Sequence, residues 1–306
     1  MPPPSAIQGG GSVQQGLSAA YESIAFCKHR RAADKRYSLG LMVATSSERP
    51  TPGTLYRYRD LIGENRIRVQ TSIERSLLYL ASPKHFNDAF DCRIHYNTTV
   101  STAILRRKQA SLYKKFAPDL NRSQRRTRAA ADTKRISPKA VVGSVTAGLQ
   151  EAVDRVGVLC LAESKDNIVM WSHYASGHSG ICLGFSVLAD APFFGRAQPV
   201  DYLDAYPTVD PFRDSPQKQV DAFLLSKAGA WEYEEEWRII DHDLGFGEKA
   251  FRPDALAEVV LGARISENDR DFVLKVVRNR GVACKIFQAE AGTGTYGLRF
   301  HAVEPS

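Results

Sequence analysis

Short apolar segments recur along the chain between residues 54 and 300, and their length predicts β-strands. Residues 157–161 and 180–186 are almost continuously apolar, which is typical of strands buried on both faces. Residues 55–58 and 77–81 are rich in the residue types that favour strands. Further strands are predicted at residues 199–202, 234–240, 258–261, 282–288 and 296–300.

Helical spacing interrupts this strand pattern at several places. Residues 166–176 predict a short helix, and residues 216–228 predict an amphipathic helix, because their apolar positions recur three or four residues apart. Another helix is predicted between Ser266, as its N-cap, and Gly281, as its stop. Since strands and helices do not alternate regularly, we predict an α+β fold with mixed, mostly antiparallel sheets, flanking helices and a helical insertion.

Positive charge is concentrated in one segment of the chain. Residues 101–140 hold twelve Lys and Arg residues against two Asp residues, a local charge of +10, so the rest of the chain carries −3 of the net +7. Residues 101–156 show no strand pattern and predict two or three helices broken at Pro118 and Pro138. The basicity therefore belongs to a helical insertion and not to the main domain.

The domain organisation follows from these patterns. We expect residues 54–302 to form one α+β domain that contains the basic helical insertion at residues 101–156. Residues 1–50 precede this domain. They predict a disordered leader, because Pro, Gly, Ser and Gln dominate its first fifteen residues, followed by a short helix near residues 17–35.

Several classes of protein are excluded by what the chain lacks. No apolar run approaches the roughly 18 residues of a membrane span, and the N-terminus has no apolar signal-peptide core. The five cysteines form no CxxC pair, which excludes zinc-ribbon and thioredoxin-like sites and favours a reducing compartment. We expect a cytoplasmic protein with no membrane partner, and a secreted effector is the alternative that the Ser-rich leader leaves open. The sequence does not determine the oligomeric state.

The segment from Trp231 to Arg238 is the most informative motif. Strand alternation places Glu234, Glu236 and Arg238 on one face, which we expect to line a cleft or face solvent, and places Trp237 in the core. Two carboxylates beside an arginine can perform acid–base chemistry or stabilise a developing cation. The alternative is a solvated strand face that carries an Arg–Glu ion pair.

Candidate ligand contacts flank this motif and occur in an earlier loop. Lys227 and Trp231 lie beside the carboxylates, and an aromatic ring next to paired carboxylates makes a suitable ligand wall. Asn87 and Asp91 lie in a loop that two phenylalanines anchor. The default interpretation of this loop is a structural turn, and the alternative is that it presents Asn87 or Asp91 to a ligand.

The predicted helix at residues 166–176 supplies a third set of candidates. Ser172, His173 and Tyr174 are its candidate polar contacts, and the alternative is that they satisfy a helix cap and turn. His178 follows His173 in a glycine-rich turn, but no third ligand accompanies this pair, so we predict no metal site. The chain has no P-loop, no GxGxxG after a strand, no GxSxG elbow and no HExxH, which excludes the common nucleotide-binding and hydrolase scaffolds.

Four segments taken together carry a family resemblance. They are LYRYR at residues 55–59, FNDAFD at 86–91, MWSHYASGHSG at 170–180, and WEYEEEWR at 231–238 preceded by Lys227. In this order they resemble DUF2971, a bacterial family known as a domain of unknown function. The resemblance covers residues 54–300, with Ala89 where the family usually has proline, and it implies a family without an established chemistry.

The order of three motifs is also similar to that of ADP-ribosyltransferase-like domains. Those domains carry an aromatic residue followed by Arg or His on an early strand, then a Ser, Thr or Tyr, then a late Glu, often Glu-x-Glu. Here Arg57 would be the first, Ser172 or Tyr174 the second, and Glu234 with Glu236 the third. The analogy implies NAD-dependent ADP-ribosyl transfer or NAD hydrolysis, with Glu236 stabilising the ribose cation and Arg57 pairing with the pyrophosphate.

Arg57, Tyr174 and Glu236 would then line one pocket. Two alternatives remain open. One is a non-enzymatic ligand-sensing or nucleic-acid-binding module that uses the cations of residues 101–140. The other is a metal-independent hydrolase or nuclease that uses the two glutamates with Asp91 and His173.

Overall fold

The computed structural model describes residues 49–96, 101–135, 137–210 and 214–304. The predicted leader and the helix near residues 17–35 lie outside these ranges. The described residues within 93–153 and 207–224 form one compact unit, which we call the helical unit. Those within 49–92, 154–206 and 225–304 form a second, which we call the sheet unit.

The elements follow one another in an irregular order. The strands are β1 (Thr54–Arg59), β2 (Leu77–Leu80), β3 (Gly157–Ala162), β4 (Ile181–Ser186), β5 (Gln198–Pro199), β6 (Asp201–Leu203), β7 (Ser226–Ala228), β8 (Glu236–Asp241), β9 (Gly247–Ala250), β10 (Leu256–Leu261), β11 (Lys285–Ala291) and β12 (Leu298–Ala302). The α-helices are α1 (Glu64–Arg75), α2 (Thr102–Phe116), α3 (Arg122–Arg135), α4 (Pro138–Val153), α5 (Ile168–Tyr174), α6 (Ala191–Phe194), α7 (Pro216–Leu224) and α8 (Glu267–Asn279). Short 3-10 helices cover Pro83–His85, Gly229–Glu234 and Pro253–Ala255.

The sheet unit is built on one large sheet. Within the described ranges this sheet has eight strands in the order β12-β11-β10-β4-β1-β3-β8-β5. Neighbouring strands are antiparallel except β10 and β11, which are parallel and are connected through α8. Two small sheets pair β2 with β9 and β6 with β7. The predicted α+β class with mostly antiparallel strands is confirmed.

The large sheet has two faces with different coverings. Side chains such as Leu161 and Trp237, which lie opposite each other on β3 and β8, face a core that includes buried residues of α1 and α8. We call this the α1/α8 face. Tyr58 and Cys182, opposite each other on β1 and β4, face the other way and pack with the fully buried Trp171 of α5. We call this the α5 face.

The helical unit contains α2, α3, α4 and α7. In it the Tyr113 hydroxyl of α2 donates to Asp132 of α3, and the Tyr96 ring packs edge-on against Phe223 of α7 at 5.8 Å between ring centroids. The prediction of helices interrupted near Pro118 and Pro138 is confirmed. No helix in the described ranges is long and apolar enough to cross a membrane.

Two predicted elements have a different type over part of their length in the structure. The helix predicted at residues 216–228 ends at Leu224, because residues 226–228 leave it to pair with β6 as a parallel strand. The strand predicted at residues 234–240 begins at Glu236. Glu234 belongs to the preceding 3-10 helix, which ends at Glu235 in the left-handed region at φ 45°. Helices α1 and α6 and strands β7 and β9 were not predicted.

Candidate functional site

Five ionisable side chains form a buried ion cluster in the sheet unit. Each is at most 8% exposed, and they come from the loop before Cys92 and from β7, the 3-10 helix at residues 229–234, and β8. The members of this ion cluster are Asp91, Lys227, Glu234, Glu236 and Arg238. Three acids and two bases leave a formal charge of −1 when all five are ionised, and each member has a partner of opposite charge, as buried charges require.

Arg238 forms the inner end of the ion cluster. Its Nη1 and Nη2 donate to both oxygens of Asp91, at 3.0 and 2.6 Å, and its Nε and Nη2 donate to Glu236, at 2.7 and 3.0 Å. The Phe86 ring lies 5.5 Å from the guanidinium carbon. With 0% of its surface exposed and two carboxylates bound, Arg238 fixes the geometry of the cluster and offers no face to a ligand.

Lys227 joins the two glutamates. Its Nζ donates to Glu236 Oε2 at 3.1 Å and to Glu234 Oε2, and it lies 4.9 Å from the Trp231 ring. Burial opposes the charge, but Glu236 and Glu234 together raise the pKa of Lys227 above its ordinary value. Lys227 therefore stays cationic and holds both carboxyl groups in place.

The two glutamates have opposite pKa shifts. Burial opposes ionisation of Glu236, but Arg238 and Lys227 overcome it and lower the pKa of Glu236 to about 2. Burial and the neighbouring Glu236 raise the pKa of Glu234 above its ordinary value, although Lys227 acts against them. Glu236 is thus a fixed anion, whereas Glu234 keeps its proton to a higher pH than an ordinary glutamate does.

Glu234 forms the outer end of the ion cluster and contacts partly exposed aromatic residues. The Tyr174 hydroxyl donates to Glu234 Oε1 at 2.6 Å. Next to it the Tyr233 hydroxyl and His173 Nδ1 lie 3.0 Å apart in a hydrogen bond, and the Trp231 and Tyr233 rings are 6.1 Å apart. We call Trp231, Tyr233 and His173 the aromatic rim.

Local structure explains why Tyr174 reaches Glu234. The Asn167 side chain caps α5 by accepting from the backbone N–H groups of Val169 and Met170. One helical turn after Asn167, the Trp171 indole donates to the carbonyl of Lys165 at 2.8 Å and packs edge-on against Tyr58. The short helix is held at both points, which fixes the direction of the tyrosine that ends it.

The structure brings most of the predicted site residues together. Glu234, Glu236, Arg238, Lys227 and Asp91 meet in the ion cluster. Tyr174, Trp231 and His173 lie at its outer end, and the Asn87 side chain hydrogen-bonds Tyr174. Ser172 lies on α5 and is exposed.

One predicted feature of this set is wrong. Glu234, Glu236 and Arg238 were expected to line a cleft or face solvent, but each is at most 4% exposed. The reason is that Phe86 and Asp91, about 150 residues away in the chain, cover this face of β8. Strand alternation predicts which side chains share a face, but it does not predict what covers that face.

Arg57 does not join the others. It lies opposite Leu183 on the α1/α8 face, whereas Glu236 and Arg238 lie opposite Ala162 and Cys160 on the α5 face. The predicted pocket lined by Arg57, Tyr174 and Glu236 is therefore not formed, because successive side chains of a strand point to opposite faces.

Two contacts of the site had no signal in the sequence. The Tyr202 hydroxyl accepts the backbone N–H of Glu236 at 2.8 Å. The Cys160 thiol donates to the Glu236 carboxylate from the neighbouring strand β3. Neither residue stands in a motif, and only the pairing of distant segments reveals them. Within the part of the chain that the structure describes, no group of three or more His, Cys, Asp or Glu side chains is placed to hold a metal ion.

Comparison with known protein families identifies part of this site. Residues 170–239 match the model of a family described as Protein of unknown function (DUF2971), which confirms the predicted resemblance over that segment. The matched segment begins in α5 and ends in β8, so it contains Tyr174, the aromatic rim and four of the five members of the ion cluster. No curated protein and no solved structure matches the chain.

Proposed function

We propose that this DUF2971 domain cleaves the bond between nicotinamide and ribose in NAD and passes the ADP-ribosyl group to water or to an acceptor. The observation that carries the proposal is the position of Glu234. Its side chain accepts from Tyr174 beside the partly exposed aromatic rim, whereas Arg238 and Lys227 bind the oxygens of Glu236.

The chemistry requires a carboxylate at this kind of position. When the bond from ribose C1′ to the nicotinamide nitrogen breaks, its electron pair leaves with nicotinamide, which becomes neutral, and positive charge develops on the ribose. An ionised Glu234 would stabilise that charge. A water or acceptor oxygen then bonds to C1′ and releases its proton.

The neighbours of Glu234 have separate roles in this scheme. Lys227 and Tyr174 each hold one of its oxygens, so the carboxylate is oriented before the ligand arrives. Burial and Glu234 raise the pKa of Tyr174, which therefore remains a hydrogen-bond donor at neutral pH. The aromatic rim provides ring surfaces on which nicotinamide can stack.

The proposal differs in two residues from the assignment made by motif order. Glu236 is a positioning residue, because Arg238 and Lys227 occupy its oxygens. Arg57 does not bind the pyrophosphate of a nucleotide at Glu234, because it lies on the opposite face of the sheet.

Nicotinamide release from NAD tests the proposal. We expect the full chain to bind and cleave NAD, and Glu234→Gln to lower kcat by about 100-fold or more, as for other losses of transition-state charge stabilisation. Glu235→Gln is the matched control, because Glu235 is the exposed neighbour and should keep full activity. A parent protein that neither binds nor cleaves NAD, or a Glu234→Gln protein as active as the parent, would overturn the proposal.

A second candidate function rests on a different part of the molecule. Of the twelve cations in residues 101–140, ten are exposed and two are partly buried, so α2 and α3 present a basic surface. Phosphate groups of nucleic acids bind such surfaces. Tyr113 and Phe116 are the aromatic residues of these helices, which favours contacts to the phosphate backbone over base stacking.

A further inference from the structure

Two arginines of the sheet unit contact Tyr79, and a third shares the sheet face of the first. Arg57 and Arg59 occupy alternate positions of β1 and therefore share the α1/α8 face, and Arg68 lies on α1. Arg57 Nη2 donates to the Tyr79 carbonyl at 3.1 Å, and the Arg68 guanidinium carbon lies 4.2 Å from the centre of the Tyr79 ring. We call Arg57, Arg59 and Arg68 the arginine cluster.

Arg57 is a buried donor without enough partners. It is 8% exposed, and its Nε has no hydrogen-bond partner. Nearly all buried polar groups in proteins are hydrogen-bonded, and a buried charge is normally paired with an opposite charge. The Arg57 Nε in this position is therefore a buried donor that a bound anion can engage.

The surrounding acids do not supply that group. The Asp60 oxygens accept from the Ile62 backbone N–H at 2.9 Å and from the Asn65 side chain at 2.8 Å. Glu64 pairs with Arg68 at 3.0 Å but is 83% exposed. Among the residues that the structure describes, no carboxylate forms a salt bridge with Arg57 or Arg59.

The three positive charges also act on one another. Burial is the main cause that lowers the pKa of Arg57, and Arg59 and Arg68 lower it further. Burial and Arg68 lower the pKa of Arg59 in the same way. An anion placed among the three side chains would relieve this repulsion.

We propose that the arginine cluster is a binding site for a tetrahedral oxyanion, either a free phosphate or the phosphoryl group of a larger ligand. Guanidinium groups present paired N–H donors that fit phosphate oxygens, and Arg57 Nε provides an unused donor at the base of the site. Arg59 and Arg68 are partly exposed and form its accessible side. The site lies on the sheet face opposite Glu236, so it does not depend on the function proposed for Glu234.

Thermal unfolding of the full chain with inorganic phosphate tests this site. We expect phosphate to raise Tm in a saturable way, and potassium chloride of equal ionic strength not to do so. Arg59→Gln and Arg68→Gln should each weaken phosphate binding by about tenfold, as loss of a charged hydrogen bond does. Arg75→Gln, an exposed arginine in the last turn of the same helix, is the matched control and should bind like the parent.

Arg57→Met separates a ligand site from a purely structural role. Without phosphate we expect its Tm to equal or exceed that of the parent, because a buried unpaired charge has been removed, and phosphate should no longer raise it. If the only role of Arg57 is its hydrogen bond to the Tyr79 carbonyl, the variant will have a lower Tm than the parent, and phosphate will not raise the Tm of the parent.

Three results would overturn the proposal. The first is that chloride stabilises the parent as much as phosphate does, and the second is that phosphate does not stabilise the parent at all. The third is that phosphate raises the Tm of both Arg59→Gln and Arg68→Gln as much as that of the parent. This third test remains valid even if Arg57→Met does not fold. Pyrophosphate and ADP-ribose, tested beside phosphate, distinguish a free ion from a larger phosphorylated ligand. Glu234→Gln should keep the phosphate response, so failure of this proposal and failure of NAD cleavage are distinguishable.

Discussion

Glu234 and Glu236 differ in chemistry although a single residue separates them. The difference comes from their partners, because Glu236 binds two cations, whereas Glu234 shares Lys227 with it and receives a neutral donor from Tyr174. Burial acts on both, but only at Glu236 do the cations outweigh it. The same residue type is therefore a structural anion at one position and a titratable group at the other.

The stability of the protein should depend on pH with opposite signs at these two residues. Glu236 has a pKa of about 2 in the folded protein and an ordinary value of 4.5, so the unfolded chain binds its proton first as pH falls. The free energy of unfolding that Glu236 contributes should be lost as pH falls from about 4.5 to about 2. Denaturant unfolding measures this. The difference in free energy of unfolding between the parent and Glu236→Gln should shrink as pH falls through this range.

Glu234 supplies the contrast. Its pKa is raised in the folded protein, so above pH 4.5 the folded state holds the proton more firmly, and stability rises as pH falls through that raised value. As pH falls, the free energy of unfolding of the parent should therefore rise relative to that of Glu234→Gln, whereas it should fall relative to that of Glu236→Gln. Parallel behaviour of the two variants would contradict the assignment of Glu236 as the fixed anion.

At the scale of residues, strand alternation predicted part of the site. It correctly placed Glu236 and Arg238 on one face and Trp237 in the core. It gave Glu234 the wrong element, because the left-handed backbone of Glu235 ends a 3-10 helix there, and a non-glycine residue carries no sequence signal for that conformation.

At the scale of elements, strands with continuous apolar runs were predictable, whereas helix α1 and strand β9 were not. Strand β4 is buried along almost its whole length and has the matching sequence pattern. Helix α1 buries only Val69, Ser72 and Ile73, so its apolar stripe is too thin to stand out. Strand β9 forms through its pairing with β2, which no local pattern records.

The central position of β4 makes one glycine intolerant of a side chain. Strand β4 lies between β1 and β10, and a Cβ added at Gly184 would lie 2.5 Å from Glu258 Cγ and 3.0 Å from Tyr56 Cε1. Glu258 has little freedom to move, because both its oxygens accept from Lys165 at 2.9 Å. Gly184→Ala should therefore lower the free energy of unfolding by about 1–3 kcal/mol, measured by denaturant titration.

A double-mutant cycle identifies the cause of that loss. In a Glu258→Ala background the atom that the new methyl group contacts most closely is absent, so Gly184→Ala should cost clearly less than in the parent. An equal cost in both backgrounds would mean that the collision with Glu258 is not the reason.

At the scale of the whole molecule, the charge is divided between segments. Residues 101–140 carry +10 and the rest of the chain −3, a division that the sequence alone predicts. The sequence also predicted that these cations lie on helices, but not that ten of the twelve are exposed, which depends on how α2 and α3 pack. Exposed cations on adjacent helices act together on a polyanion, whereas scattered ones do not.

The affinity for random-sequence duplex DNA should therefore fall as the salt concentration rises, and the cations of α2 should account for much of this dependence. Each phosphate contact contributes about 0.9 to the slope of log K against log salt concentration. The quadruple variant Arg106→Gln, Arg107→Gln, Lys114→Gln and Lys115→Gln removes four exposed charges. If all four contact phosphates, the slope should fall by roughly 3 to 4, as measured by fluorescence anisotropy between 50 and 200 mM salt.

A control of equal net charge separates this surface from the charge of the whole protein. The control changes four exposed cations of the sheet unit to Gln and so lowers the net charge by the same amount. These cations are Arg75, Lys275, Lys285 and Arg299. We expect this control to bind DNA with the parent's slope, because it keeps every cation of α2 that the proposal assigns to phosphate contacts. If both quadruple variants reduce binding equally, net charge and not the α2 surface attracts the DNA.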